Sequence, residues 1–111
     1  MRQSKLPAIQ TRSITRKIKT MLEKTLERKL VQKIKALGGM CEKFVSPQRR
    51  GVPDRIVTLP GGKIIFVEMK KPGKKPTKLQ MVDHEQRKKL GCNVVVIDSE
   101  EKINEFPGLF A

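Results

Sequence analysis

Three residues near the middle of the chain have the types and the spacing of a metal-dependent hydrolytic site. Asp54 follows Gly-Val-Pro, and Glu68 and Lys70 stand one residue apart at the end of an apolar run. Mg²⁺ prefers oxygen ligands and keeps several waters, so two carboxylates and one backbone carbonyl, here that of Met69, are sufficient to hold it. Such an ion activates water and neutralises the charge that grows on a phosphodiester during hydrolysis. We therefore predict Mg²⁺ or Mn²⁺ at Asp54, Glu68 and Met69, with Lys70 orienting the attacking water and stabilising the developing charge.

The register of a predicted β-hairpin decides whether these groups meet. Two strand-like segments, 55–59 and 63–69, are joined by the turn residues Pro60-Gly61-Gly62. Side chains alternate between the two faces of a strand, so a three-residue loop places Asp54 opposite Glu68. A two-residue loop would aim Asp54 at the other face. We predict the three-residue register; the alternative is a surface hairpin whose charged residues only form ion pairs.

The remaining segments supply helices and strands around the hairpin. The predicted elements are a helix at 19–37, a strand at 40–45, the hairpin strands at 55–59 and 63–69, a helix at 77–90, a strand at 93–97 and a final helix at 99–106. This order, α-β-β-β-α-β-α, predicts the α/β class, with a mixed sheet flanked by helices. The helix at 77–90 has the length of a right-handed crossover, so the strand that follows it should be parallel to its neighbour.

The helix at 77–90 begins with residues that could act in capping or in the site. Thr77 and Gln80 have the spacing of a capping box, and Gln80 is equally a candidate active-site residue. Four residues of this helix share one face: Leu79, Val82, Gln86 and Leu90. His84 is the only histidine and has no partner at ligand spacing, so we assign it no function.

The composition indicates a polyanionic partner. The 25 Lys and Arg against 11 Asp and Glu leave a net charge of +14, and the chain contains no Trp or Tyr on which bases could stack. DNA held through its phosphates and its shape is the favoured partner. No run of 18 apolar residues indicates a membrane span, so we expect a cytoplasmic protein. Cys41 and Cys92 fit no metal-binding spacing and are expected to be free thiols.

Basic residues are concentrated at three places in the chain. Residues 1–20 contain no carboxylate and are expected to form a loose basic arm ahead of a folded domain at 21–111; this arm is either a solvated tail or an additional phosphate contact. The two remaining places flank the hairpin, and the predicted DNA-backbone contacts there are Arg49, Arg50, Lys71, Lys74 and Lys75.

The motifs together resemble those of a known nuclease family. GVPD before the hairpin, EMK at its end and a Gln in the capped helix that follows are similar to the VRR-NUC family, a branch of the PD-(D/E)xK superfamily. The similarity extends over about residues 26–97. It implies a restriction-endonuclease-like core with Asp54 and Glu68 as metal ligands and Lys70 as the catalytic lysine.

Two further site residues are implied by this resemblance. The glutamate that the family carries on its first helix corresponds better to Glu27 than to Glu23, and would hold a second ion or hold the metal through a water. The glutamine that follows the catalytic strand corresponds to Gln80.

The resemblance also indicates the substrate. Small members of the family are similar to Holliday-junction resolvases that act as homodimers, so we expect a homodimeric, structure-selective endonuclease for four-way junctions in repair, recombination or phage replication. A restriction-type enzyme would need an added base-reading element, which this chain does not contain. The same residues would also suit a flap endonuclease or a non-catalytic basic DNA-binding module.

Overall fold

The computed structural model describes residues 8–110, with side chains from Leu22 to Gly108. Its elements are α1 (Ala8–Ala36), β1 (Met40–Lys43), β2 (Arg55–Leu59), β3 (Lys63–Met69), α2 (Lys78–Lys89), β4 (Asn93–Ile97) and α3 (Glu100–Phe110). This is the predicted order, and the α/β class is confirmed. β1 ends two residues earlier than expected, because the chain leaves the sheet at Phe44 to form the loop that leads to β2.

The four strands form one mixed sheet in the order β1-β2-β3-β4. β1 and β2 are antiparallel, β2 and β3 are antiparallel, and β3 and β4 are parallel. The parallel pair is the one that α2 connects, so the predicted crossover is confirmed. β3 is therefore an interior strand, and the end that carries Glu68 lies between β2 and β4.

The hairpin has the three-residue register. Leu59 pairs with Lys63, and Ile56 pairs with Phe66. The turn contains Gly61 at φ 89° and Gly62 at φ 81°, left-handed conformations that glycine adopts without strain. The strand pairing ends with Arg55 opposite Val67, and one further step along both strands places residue 54 opposite residue 68. The register on which the site depends is confirmed.

The longest helix, α1, begins at Ala8, well before the predicted start at residue 19. The prediction followed the apolar spacing, whereas the backbone can stay helical through the basic segment because no Gly or Pro interrupts residues 8–36. The first seven residues of the expected basic arm lie outside the described residues, and the boundary at residue 20 stays a prediction. None of the described helices is both long and apolar enough to cross a membrane.

The core lies between the sheet and the helices α1 and α3. Its buried members are Leu26, Leu30, Ile34, Val57, Leu59, Ile65, Val67, Met69, Ile97, Ile103 and Phe106. The helix α2 contributes no residue to this cluster. Its buried residues are Asp83 and His84, while Leu79, Val82 and Leu90 are more than half exposed. The polar face of α2 is therefore the one that packs against the protein, over the end of the sheet that carries Glu68.

Candidate active site

Asp54 and Glu68 meet at the end of the hairpin. Glu68, near the end of β3, is only 1% exposed. Asp54 precedes β2, and its Oδ2 accepts a hydrogen bond of 2.7 Å from the backbone N–H of Met69. The side chains of Asp54 and Glu68 are also hydrogen-bonded to each other. The structure thus brings together the two carboxylates and the Met69 backbone that the sequence singled out.

The surroundings of Glu68 strongly favour its protonated form. Burial, the hydrogen bond with Asp54 and the negative charge of Asp54 raise the pKa of Glu68 to about 8, against an opposing effect of Lys70; Glu23 raises it further. A negative charge on the buried Glu68 next to that of Asp54 is unfavourable because the two like charges repel and the interior solvates them poorly. A cation that replaced the proton on Glu68 would remove the repulsion.

Three side chains surround the Glu68 carboxyl group. Lys70 Nζ lies 3.8 Å from Glu68 Oε2, and Gln80 Nε2 donates to the same oxygen at 3.3 Å. His84 Nε2 lies 3.7 Å from Glu68 Oε1. Within the described part of the chain, neither His84 Nε2 nor Glu68 Oε1 has a hydrogen-bond partner, although both atoms are buried. The carboxyl group therefore retains one oxygen that no donor satisfies.

Gln80 makes both of the contacts that the sequence left open: it completes the capping box of α2, and it contacts the Glu68 carboxyl group. Its side-chain oxygen accepts from the backbone N–H of Thr77 at 2.9 Å, and its backbone N–H donates to Thr77 Oγ1 at 3.2 Å, which completes the predicted capping box. Its Nε2 is left free to contact Glu68. One amide side chain thus fixes the start of α2 relative to the site.

His84 is a site residue that the sequence did not reveal. It is 5% exposed, and burial lowers its pKa, so the ring is neutral at physiological pH. The available signal was its spacing, since His84 follows Gln80 by one helical turn and must lie on the same face of α2. The apolar residues of this helix pointed to the opposite face as the buried one.

Of the two glutamates on α1, Glu23 lines the cleft, whereas the resemblance favours Glu27, whose role in the site stays a prediction. Glu27 Oε1 pairs with Arg55 Nη2 at 3.1 Å, and this arginine also donates to the carbonyl of Cys41. Glu23 lines the cleft beside Lys70, and its charge raises the pKa of Glu68. The two glutamates lie one turn apart, so the spacing alone could not separate them.

A basic cleft adjoins the carboxylates. It has a volume of about 260 Å³ and is lined by Glu23, Lys70, Lys71, Lys74, Lys75 and Thr77. Three of the predicted DNA-contacting lysines, Lys71, Lys74 and Lys75, are therefore next to the catalytic lysine candidate. Their positive charges lie where they would attract the phosphates of a DNA strand bound at the site.

The two arginines of the β1–β2 loop have different surroundings. Arg49 Nε donates to Asp83 Oδ1 at 2.5 Å, and its Nη2 donates to Gln86 Oε1. Arg50 is exposed. The guanidinium of Arg49 is therefore held by side chains of α2, which makes Arg50 the better candidate for an independent phosphate contact.

The donor set fits a divalent cation. No group of three or more His, Cys, Asp or Glu side chains that could hold a metal ion occurs in the described part of the chain. The available ligands are instead two carboxylates and a backbone carbonyl, the sparse oxygen set that suits Mg²⁺. The unsatisfied Glu68 Oε1 and the raised pKa of Glu68 beside Asp54 mark the place where a positive charge would be stabilised. Asp54, Glu68 and the Met69 carbonyl would hold the ion.

Comparison with known proteins identifies the class. No protein-family model matches the chain. The chain is 49% identical over 87 residues to the protein named "Putative nuclease p44" of Acyrthosiphon pisum secondary endosymbiont phage 1, a match that covers 78% of this chain and 94% of that protein. It is also similar to a solved structure described as a VRR-NUC domain, with a TM-score of 0.75 and 33% identity over 80% of this chain and 97% of the other.

These similarities agree with the fold. The protein is a nuclease with an α/β fold. It belongs to the VRR-NUC family of the PD-(D/E)xK nucleases.

Proposed function

We propose that the protein is a Mg²⁺- or Mn²⁺-dependent, structure-selective DNA endonuclease whose site consists of Asp54, Glu68, Lys70 and Glu23. The observation that carries this proposal is the pair of hydrogen-bonded carboxyl groups, one of them fully buried, beside a lysine and at the edge of a lysine-lined cleft. A hairpin stabilised only by surface ion pairs would not bury Glu68 or leave one of its oxygens unsatisfied.

Each side chain has a role that follows from its position. A divalent ion bound by Asp54 and Glu68 would supply the positive charge that activates water and neutralises the scissile phosphate. Lys70, 16% exposed at its side chain, would orient the attacking water and donate to the developing oxyanion. Gln80 holds the Glu68 carboxylate in place, and Glu23 lies on the cleft side of Lys70.

The cleft lysines and the loop arginine would bind the DNA backbone. Lys71, Lys74 and Lys75 line the cleft on one side of the site, and Arg50 is exposed on the loop that leads to Asp54. Such contacts position a duplex and carry no sequence information. Selectivity would then come from the shape of the DNA, and a four-way junction attacked by a homodimer with two sites is the substrate that we propose.

The similarity of the chain to a phage protein supports action on DNA that is being replicated or recombined in the cytoplasm of a host cell. The net charge of +14 supports a polyanionic substrate. A flap or a plain duplex would require one active site, whereas symmetric cutting of a junction requires two.

A panel of DNA substrates tests the proposal. The protein is incubated with a labelled four-way junction, a flap and a linear duplex, each with Mg²⁺, with Mn²⁺ and with a chelator, and its mass in solution is measured in parallel. We expect paired cuts in opposed junction arms, dependence on the metal and the mass of a dimer. Cuts confined to the flap would identify a flap endonuclease, and tight binding with no cleavage of any substrate would identify a DNA-binding module.

A further inference from the structure

The loop that carries Asp54 is fixed to α2. Its ends are joined by the backbone N–H of Phe44, which donates to the carbonyl of Asp54 at 2.8 Å. Gly51, at φ 77°, lies so close to α2 that a Cβ atom there would stand 2.8 Å from the carbonyl oxygen of Leu79. The position of Asp54 therefore depends on how this loop, residues 44–54, is held against the helix.

Asp83 is the buried centre of the contacts that hold it. The residue is 1% exposed, and both of its carboxylate oxygens are used: Oδ1 by Arg49 and Oδ2 by Arg87, whose Nε donates at 2.8 Å. The guanidinium of Arg87 lies over the rings of Phe44 and Phe66, 5.1 and 4.8 Å from their centres. The Asp83 carboxylate thus binds the middle of the loop through Arg49. It also binds Arg87 of α2, which lies against Phe44 at the base of the loop.

The two arginines also keep Asp83 ionised. Burial opposes the charge, but the hydrogen bonds and charges of Arg87 and Arg49 hold the pKa of Asp83 below its ordinary value. A carboxylate buried on a helix of so basic a protein could have been paired by either arginine alone. Because Arg49 belongs to the loop and Arg87 to α2, the Asp83 carboxylate links the loop to the helix, and this link is the tie between them.

We propose that Asp83 is a positioning residue for the nuclease reaction: through Arg49 it fixes the loop so that Asp54 stays on the Met69 N–H and next to Glu68. This inference rests on the proposed function for its effect on cleavage. The geometry of the tie itself does not depend on the substrate.

Positioning and simple electrostatics predict opposite effects for Asp83→Asn. The substitution removes a negative charge from a DNA-binding protein, so its charge alone would strengthen DNA binding. Loss of the tie lets Asp54 shift, and a misplacement of about 1 Å at a reacting group can cost about 100-fold in rate. A cleavage rate at saturating DNA that falls about 100-fold, while DNA affinity is kept or increased, is the expected result.

The amide of Met69 reports the position of Asp54 without DNA, metal or cleavage. Its N–H donates to Asp54 Oδ2 at 2.7 Å, so its NMR shift and its hydrogen-exchange rate depend on that contact. We expect Asp83→Asn and Arg49→Ala each to move the Met69 signal and to accelerate its exchange. Arg50→Ala removes the same charge from the next residue of the loop and should leave the Met69 signal at its wild-type position.

Urea denaturation accompanies each variant, because Asp83→Asn leaves two arginines without their shared partner. Arg49→Ala truncates a side chain that is 42% exposed and serves as the second variant if Asp83→Asn does not fold. If Asp83 acts through Arg49, the double variant should cleave no more slowly than Asp83→Asn alone.

The inference is overturned if the Met69 amide is unchanged in a folded Asp83→Asn or Arg49→Ala protein, or if the two substitutions slow cleavage independently. The inference is also overturned if Arg49→Ala and Arg50→Ala lower DNA affinity equally and change nothing else, because Arg49 would then be only a phosphate contact. If the wild type cleaves no DNA, the proposed function fails, and the amide measurements still decide whether Asp83 positions Asp54.

Discussion

Replacing Glu68 by Gln should stabilise the metal-free protein near neutral pH even though it removes a proposed metal ligand. In the folded protein the pKa of Glu68 is raised to about 8 by burial and by Asp54, from an ordinary value of 4.5. Between these two values the folded protein keeps a proton that the unfolded chain releases. The stability that this group provides is fully present below the unfolded pKa and is lost as the pH rises through the folded pKa.

The size of the effect follows from the two pKa values. A difference of one proton between the folded and unfolded states changes the free energy of unfolding by about 1.4 kcal/mol per pH unit. From about pH 5.5 to about pH 7.5 the wild type should therefore lose about 2.5 kcal/mol because of Glu68, slightly less than two full units because the carboxyl begins to ionise near pH 8. Gln is neutral and nearly isosteric, so Glu68→Gln should lack this decline.

Urea denaturation of both proteins in a chelator, at about pH 5.5 and about pH 7.5, measures the prediction. Both proteins are measured in a His84→Gln background, because the lowered pKa of His84 gives stability that rises with pH and His84 lies next to Glu68, so its contribution would not cancel between wild type and Glu68→Gln. The variant should gain on the wild type by about 2.5 kcal/mol over this range. A constant difference between the two proteins would show that Glu68 ionises normally and would refute the coupling of the two carboxyl groups.

Four further substitutions test separate parts of the structure. Glu23→Gln should slow metal-dependent cleavage and leave the urea midpoint almost unchanged. Glu27→Gln should mainly lower the free energy of unfolding, by about 1 kcal/mol, because Arg55 loses the carboxylate of Glu27. The reverse pattern would show that Glu27, and not Glu23, acts in cleavage. Gly51→Ala should destabilise the protein by about 1–3 kcal/mol, measured by urea denaturation, since a Cβ there meets α2 in a left-handed backbone conformation; a neutral effect would mean that the loop does not contact the helix so closely. Thr77→Ala should cost about 1 kcal/mol through loss of the capping box, and an unchanged midpoint would show that the cap adds nothing.

Much of the fold could be predicted because its signals are local. The Gly pair of the turn set the hairpin register, which in turn placed residue 54 opposite residue 68. The capping box of Thr77 and Gln80 fixed the start of α2, and the length of that helix required a parallel final strand. Each of these features depends on a few neighbouring residues, so the sequence contains the necessary information.

Other details of the candidate site depend on contacts between distant segments, which the sequence does not display. Arg55, which lies on a strand, pairs with Glu27, and this contact is the reason that we propose Glu23 for the site. His84 is buried beside Glu68 because α2 packs its polar face over the end of the sheet that carries Glu68, which is the reverse of the face expected from its apolar residues. The pairing of Arg49 with Asp83 could not be predicted because nothing near Arg49 in the sequence indicates it, and the DNA contact of Arg49 stays a prediction.

Single-turnover cleavage of a labelled four-way junction by the wild type and by Lys70→Ala, with Mg²⁺ and with a chelator, tests the central claim most directly. Lys70 contacts the buried Glu68 carboxyl group but is not part of the core, so its loss should leave the fold and DNA binding largely intact. We expect cleavage by the wild type only with the ion, and no cleavage by Lys70→Ala under either condition. Cleavage by a folded Lys70→Ala protein at the wild-type rate would contradict the proposed mechanism.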